Sequence, residues 1–288
     1  MRVAGGTMSR AAMALAALLA LSGCGDRRIT AAEYNGLQEM DAGHAAGAAR
    51  QYRAALTQAQ KDGNASAIAT AGTNLAIAEL ADNQLAQALA DARNLQAELA
   101  RRGHQPPPTL GLVIATALYR QGNLSQAATA AQQVAAGRDK AVALRGRFLM
   151  GLIAAEQHDT TGLLAASLVL APHHDPLSIA DTWELSARLS LARGDAQAAR
   201  TRALEAVKLR TQLQDPRGVA RCEAVAAEAS LAAHATAEAA RLYLKAGEGE
   251  AAVGDHARAR EWLGKAKSLT ADAHVREEAM AALASLGG

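Results

Sequence analysis

Residues 183–206 read WELSARLSLARGDAQAARTRALEA, and this stretch decides the fold. Up to Leu191, and again after Asp195, apolar and small residues recur at helical spacing. Between them, Arg193-Gly194-Asp195 supplies a turn centre followed by a residue type that caps helix N-termini. Ala199, Ala203 and Ala206 stand five, nine and twelve residues after Gly194. The pattern recurs after Gly43 (Ala48, Tyr52, Ala55), Asn83 (Ala88, Ala92, Leu95), Gly122 (Ala127, Ala131, Val134) and Gly254 (Ala259, Leu263, Ala266). His158 heads a degraded copy with Leu163, Ser167 and Leu170. Asn123, Asp159 and Asp255 take the N-cap place that Asp195 has. A turn set between two helical stretches, repeated along a chain, predicts stacked helix pairs.

Composition agrees. Of 288 residues half are hydrophobic, yet only four Tyr, two Trp and one Phe are aromatic, and roughly a quarter are Ala. Strong helix formers dominate and the residues that fill pleated sheets are scarce, so the fold class is all-α. The first 23 residues hold two Arg and no acid; removing them from 30 basic and 28 acidic residues leaves 28 against 28. A neutral chain with few rings lacks the phosphate-neutralising stripe and stacking platforms of nucleic-acid binders.

On these residues the chain resembles the tetratricopeptide repeat family. Gly36, Ala76, Ala115, Gly151 and Ala187 match its small residue in the first helix of a pair, and Trp183 falls where the family often has Trp. The resemblance spans most of residues 29–270. It implies a right-handed α-solenoid of about seven antiparallel pairs, with residues 271–288 forming a capping helix. There are departures. Turn centres lie 40, 39, 36 and 36 residues apart, against the family's 34. Between Gly194 and Gly254 the phase breaks, because a copy centred on His234 (Ala239, Tyr243, Ala246) falls half a repeat from the next. The C-terminal helices are therefore expected to pack with altered geometry. Two proline-bearing breaks, at Pro106-Pro107-Pro108 and at Pro172 to Pro176, read as rigid inter-repeat loops.

The N-terminus carries an address. Arg2 and Arg10 precede eleven apolar residues, 11–21, which is too short to span a bilayer but suits an export signal starting at Met1 or Met8. Leu21-Ser22-Gly23-Cys24 resembles the lipobox of bacterial lipoproteins. That resemblance implies a cleaved signal at 1–23, acylation of Cys24, and a lipidated tether at 24–28. Gly25 follows the Cys in place of the Asp that retains such proteins at the inner membrane, so the expected location is the periplasmic face of the outer membrane. Cys222 is then the single remaining thiol; no intramolecular disulfide can form, and Cys222 reads as a small buried hydrophobe.

Catalytic signatures are missing from the sequence. Gly-x-Ser-x-Gly and Gly-Lys-Ser/Thr are absent, and the eight His make no paired metal motif. His173-His174-Asp175 reads as a solvated turn. No catalytic residue, cofactor or metal is expected, and Arg193-Gly194-Asp195 is a turn with its cap. What remains is surface. The family's first helices line a groove; carrying its groove positions over gives Thr109, Leu112, Thr116, Tyr119 and Arg120, then Arg145, Phe148, Leu152 and Glu156, then Asp181, Glu184, Arg188 and Leu191. Of these, Tyr119, Arg120, Arg145, Phe148, Glu184 and Arg188 are the candidate partner contacts, since rings and Arg anchor interfaces. Address and resemblance together imply a non-enzymatic scaffold for an envelope complex, with pilus or secretion assembly ranked first. A regulator or enzyme of peptidoglycan metabolism and a self-associating structural protein are the alternatives. The partners expected are proteins, with the membrane engaged only through the lipid.

Overall fold

In a computed structural model the chain is described for residues 30–287. The expected signal, Cys24 and the tether lie outside the described residues. All regular structure among those residues is helical, and it falls into two compact units divided at Gly146 and Arg147, where the sequence reads one continuous repeat domain. The first unit holds α1 (Ala31–Asp41), α2 (Ala45–Lys61), α3 (Ala65–Ala81), α4 (Leu85–Arg101), α5 (Pro108–Arg120), α6 (Leu124–Ala135) and the start of α7 (Lys140–Glu156). After α7 the second unit holds α8 (Thr160–Leu170), α9 (Pro176–Ala192), α10 (Ala196–Gln212), α11 (Pro216–Ala232), α12 (Thr236–Ala252), α13 (His256–Leu269) and α14 (Ala273–Ser285). No helix among the described residues is long and apolar enough to cross a membrane.

One turn joins most of these helices. Gly43, Gly63, Asn83 and Gly103, and again Gly194, Gln214, His234 and Gly254, have positive φ. Within each set the spacing is twenty residues, a seventeen-residue helix and a three-residue turn. At Gly194 the following amide, Asp195 N–H, donates to the Ser190 carbonyl at 2.9 Å, while Gly194 N–H donates to Leu191 at 3.0 Å. This is the Schellman arrangement, which satisfies carbonyls left over at a helix end. The residue that closes it also starts the next helix: Asp195 Oδ1 accepts the Ala198 N–H at 2.9 Å. Asn64, Asp159, Asp215 and Asp255 do the same for their helices. Asn123 does not. It stands at the N-cap, but its amide donates to Gln121 Oε1 at 3.2 Å instead.

The twenty-residue unit explains the phase break. The marker residues at five, nine and twelve occur in second helices and in some first helices, so Gly194, His234 and Gly254 are turns of one array. All marker residues named above are buried. Successive helices pack pairwise within each unit. Next-but-one contacts join α3 to α5 and α9 to α11, but α12 to α14 at the end. The first two of these pairs are odd-numbered and the last is even-numbered, a change of packing order at the C-terminal helices.

Small residues set the spacing. A Cβ on Gly151 would sit 2.5 Å from Leu185 Cδ1, and one on Gly36 would sit 2.7 Å from the Tyr52 ring. Ala76, Ala115 and Ala187, at the matching position, are fully buried. In the second unit Ala187, Ala203, Val225 and Ala226 form one apolar cluster across α9, α10 and α11. A larger one, around Tyr243, Trp262 and Leu263, ties α11 to α14.

A left-handed turn residue carrying a Cβ costs about 1 kcal/mol. Gly194→Ala should therefore lower unfolding stability by about that much, read from urea denaturation; an unchanged midpoint would show that this turn does not hold the positive φ.

Candidate functional site

Helical periodicity puts Leu112, Thr116 and Arg120 on one face of α5, where all three are half-buried. Arg120 is committed there: Nη1 donates to the Leu80 carbonyl at 2.6 Å and Nη2 to Asn83 Oδ1, so it closes the end of α3. Tyr119 and Thr109 are buried. Arg145 is half-buried near the start of α7. In the first unit, then, Leu112, Thr116 and Arg145 offer accessible surface, whereas Tyr119 is packing.

In the second unit the expected groove residues converge, but inward. Phe148 and Glu184 are 4% and 1% exposed. Glu184 Oε1 and Oε2 accept from Arg221 Nε and Nη2 at 3.0 and 3.1 Å. Glu184 also lies 2.6 Å from Arg210 and 3.5 Å from Arg188. Arg210, with 0% exposure, further pairs with Asp181 at 2.8 Å and Asp215 at 2.7 Å. The Phe148 ring lies under both guanidinium groups, 5.2 Å from Arg210 and 5.8 Å from Arg221. Three carboxylates thus face three cations, joining α9, α10 and α11 and stacking on α7 through an aromatic ring.

Burial alone would keep Glu184 protonated, but Arg221, Arg210 and Arg188 outweigh it and hold its pKa far below the usual carboxylate range. Asp215 is lowered the same way: burial opposes ionisation, and Arg210 and Arg221 prevail. Burial acts against the charge on Arg210, yet Glu184, Asp181 and Asp215 raise its pKa. Desolvating six charges is expensive, and the gain comes only while every partner is present. Glu184, read from the sequence as a partner contact, is therefore an internal tie, because no solvent reaches it. Arg188, mostly buried, is held by it.

The sequence reading missed Arg210, Arg221 and Asp215. A signal was available. Arg210 stands sixteen residues after its turn residue, the place where the unit after Asn83 has the buried Leu99. A charge where a sibling unit has Leu calls for buried partners.

Burial pushes the Cys222 thiol well above its ordinary range, so it stays a neutral thiol. Among the described residues no three His, Cys, Asp or Glu gather to hold a metal. Asp175, beside His173 and His174, accepts the Ser178 N–H at 3.0 Å and caps α9. A shallow furrow of about 310 Å³ runs over Ile114 and Leu118 of α5, between Arg93 of α4 and Ser125, Thr129 and Gln133 of α6.

Removing one member of a buried ion cluster costs about 3–5 kcal/mol. Arg210→Met should lose that much at pH 7 and, relative to the wild type, recover part of it at pH 4.5, where the orphaned carboxylates take up protons; in the wild type Glu184 and Asp215 are held ionised, so the cluster's own contribution is lost only below the ordinary carboxyl value. Urea denaturation of both proteins at the two pH values checks this.

No family model matches the chain, and no curated protein does. Solved structures do. A tetratricopeptide repeat protein from Parabacteroides merdae is 15% identical, with a TM-score of 0.50 over 88% of this chain and 97% of its own. The TPR2AB domain of yeast Sti1, in complex with an Hsp90 peptide, is 16% identical over 89% of this chain and 97% of its own, with a TM-score of 0.35. The bacterial structure bears on the architecture: the chain has a tetratricopeptide-repeat-like, all-α fold of successively packed helix pairs.

Proposed function

We propose that this protein is a periplasmic lipoprotein, anchored to the outer membrane through Cys24, that serves as a non-enzymatic scaffold for assembly of an envelope complex. The observation that carries the scaffold role is the repeat fold: each helix pair adds a stripe of surface, such as Leu112–Thr116–Arg120 on α5, and the strongest ionic groups are spent inside the packing. Such a surface binds through many modest contacts, and tethering raises the local concentration of its partner. The lipobox-like Leu21-Ser22-Gly23-Cys24 supports the anchor and its location. Pilus or secretion machinery is the preferred process, by analogy of fold and address. Direct contact then falls to Leu112, Thr116 and Arg145, while Tyr119 packs inside the first unit and Phe148 and Glu184 inside the second.

Self-association is a second reading, favoured by α8. Its sequence TTGLLAASLVL has no charged residue, and Leu168 and Val169 are 63% and 42% exposed. Interface cores are depleted in charge in this way.

Cys24→Ser should release the protein from membranes, and crosslinking in cells should then lose any envelope machine that the anchored form enriches. Arg145→Glu should weaken partner binding at least several-fold with an unchanged melting temperature; a fall in both would make Arg145 structural. Sedimentation of residues 25–288 as a monomer would remove self-association.

A further inference from the structure

Arg210 is not the only charge at its place in the repeat. Sixteen residues after their turn residues, α3 carries Glu79 and α12 carries Glu250, 0% and 2% exposed. The carbonyl of each accepts the turn-closing amide, from Gln84 at 2.8 Å and Asp255 at 2.9 Å. That bond fixes both residues at a helix end, with their side chains inside the packing. Glu79 Oε1 pairs with Arg53 of α2, and the same guanidinium lies 3.5 Å from Asp91 of α4. Glu250 Oε2 lies 3.6 Å from Arg217 of α11, which lies 4.0 Å from Asp255 and donates to the Val253 carbonyl at 2.7 Å. In both places two carboxylates share one guanidinium. In both, the buried Glu keeps an oxygen, Oε2, without a hydrogen-bond partner.

A buried carboxylate with one unsatisfied oxygen bears most of its desolvation cost uncompensated. A proton on that oxygen removes the surplus negative charge and creates a donor where an acceptor was stranded. Among the described residues, the other cations nearby hold partners of their own, and Arg221 and Arg258 reach Glu250 only through space. Arg120, from α5, is bound to Leu80 and Asn83. Around Glu250, Arg221 is taken by Glu184, Arg258 of α13 pairs with Glu156 at 3.9 Å, and Arg276 of α14 donates to the Thr270 carbonyl at 2.6 Å.

We infer that Glu79 and Glu250 are buried proton-binding sites, one in each compact unit, that hold the neutral acid in the folded chain. Burial lifts Glu79 to about 8, with a hydrogen bond to Asp91 and its charge adding to the lift and Arg53 opposing it. Glu250 is raised by burial, with Asp255 adding to the lift and Arg217, Arg221 and Arg258 opposing it. The Arg210 cluster is the contrast at the same repeat position. Its three carboxylates meet three guanidinium groups, so it needs no proton.

Because the folded chain holds these protons more tightly than the unfolded chain, the two sites contribute most to stability in acid. That contribution falls as pH rises from the ordinary carboxyl value through the folded one. Each site makes the unfolding constant grow by up to about tenfold per pH unit within its window. The full chain with 13C-labelled Glu carboxyl groups tests this directly. A carboxyl signal titrating near 8 should vanish in Glu79→Gln, and another, raised above the ordinary value, should vanish in Glu250→Gln. Glu223, which burial raises to about 7, is told apart by Glu223→Gln. Both Gln variants should also unfold with a shallower pH dependence than the wild type. If a Gln variant fails to fold, Asp91→Asn leaves Glu79 in place and should bring its titration down. Ordinary titration of Glu79 and Glu250, or an unmoved Glu79 signal in Asp91→Asn, would overturn the inference.

Discussion

The structure depends on a single backbone hydrogen bond, from the residue after a left-handed turn position to the carbonyl five residues earlier. That bond ends a helix without stray carbonyls, and the residue donating it caps the next helix. Helix length, turn length and antiparallel direction follow from it. The same bond fixes which side chain is trapped at each helix end. Ala59, Glu79, Leu99, Arg210, Ser230 and Glu250 all stand there and all are buried. The chemistry of that one position then differs from unit to unit, while the backbone does not.

Where the trapped residue is Ala or Leu, apolar contact suffices. Where it is charged, an opposite charge comes from the preceding helix: Arg53 for Glu79, Asp181 and Glu184 for Arg210, Arg217 for Glu250. Buried ion pairs contribute little net stability compared with well-packed apolar residues. They do penalise a helix that packs on the wrong neighbour, since a misplaced charge is left unpaired. In an array of similar Ala-rich helices, where many registers bury comparable area, this selectivity separates the units.

Most of the fold was legible in the sequence. Gly194 and its siblings mark turns because few residues tolerate positive φ, and the small residues at fixed distances mark the faces that pack. The twenty-residue unit was partly hidden, because Gln214 and His234 occupy turn positions without being Gly or Asn. The candidate site was less legible. Family positions identify which residues line a face of α9, but whether Glu184 meets solvent or Arg221 depends on α11, a full helix pair further on. Phe148, a candidate partner contact by family position, is covered by the guanidinium groups of Arg210 in α10 and Arg221 in α11.

The fixed unit also bears on how such a chain can gain or lose length. Each helix and turn reverses the direction of the chain, so duplication or deletion of twenty residues would leave every later helix pointing the wrong way. Forty residues restore the direction and the capping chemistry together. The α12 to α14 contact is what an array looks like when its last members count from the other helix of the pair. Recombination at the turns should therefore splice this lineage cleanly in steps of two helices, with single-helix steps tolerated only towards a free end.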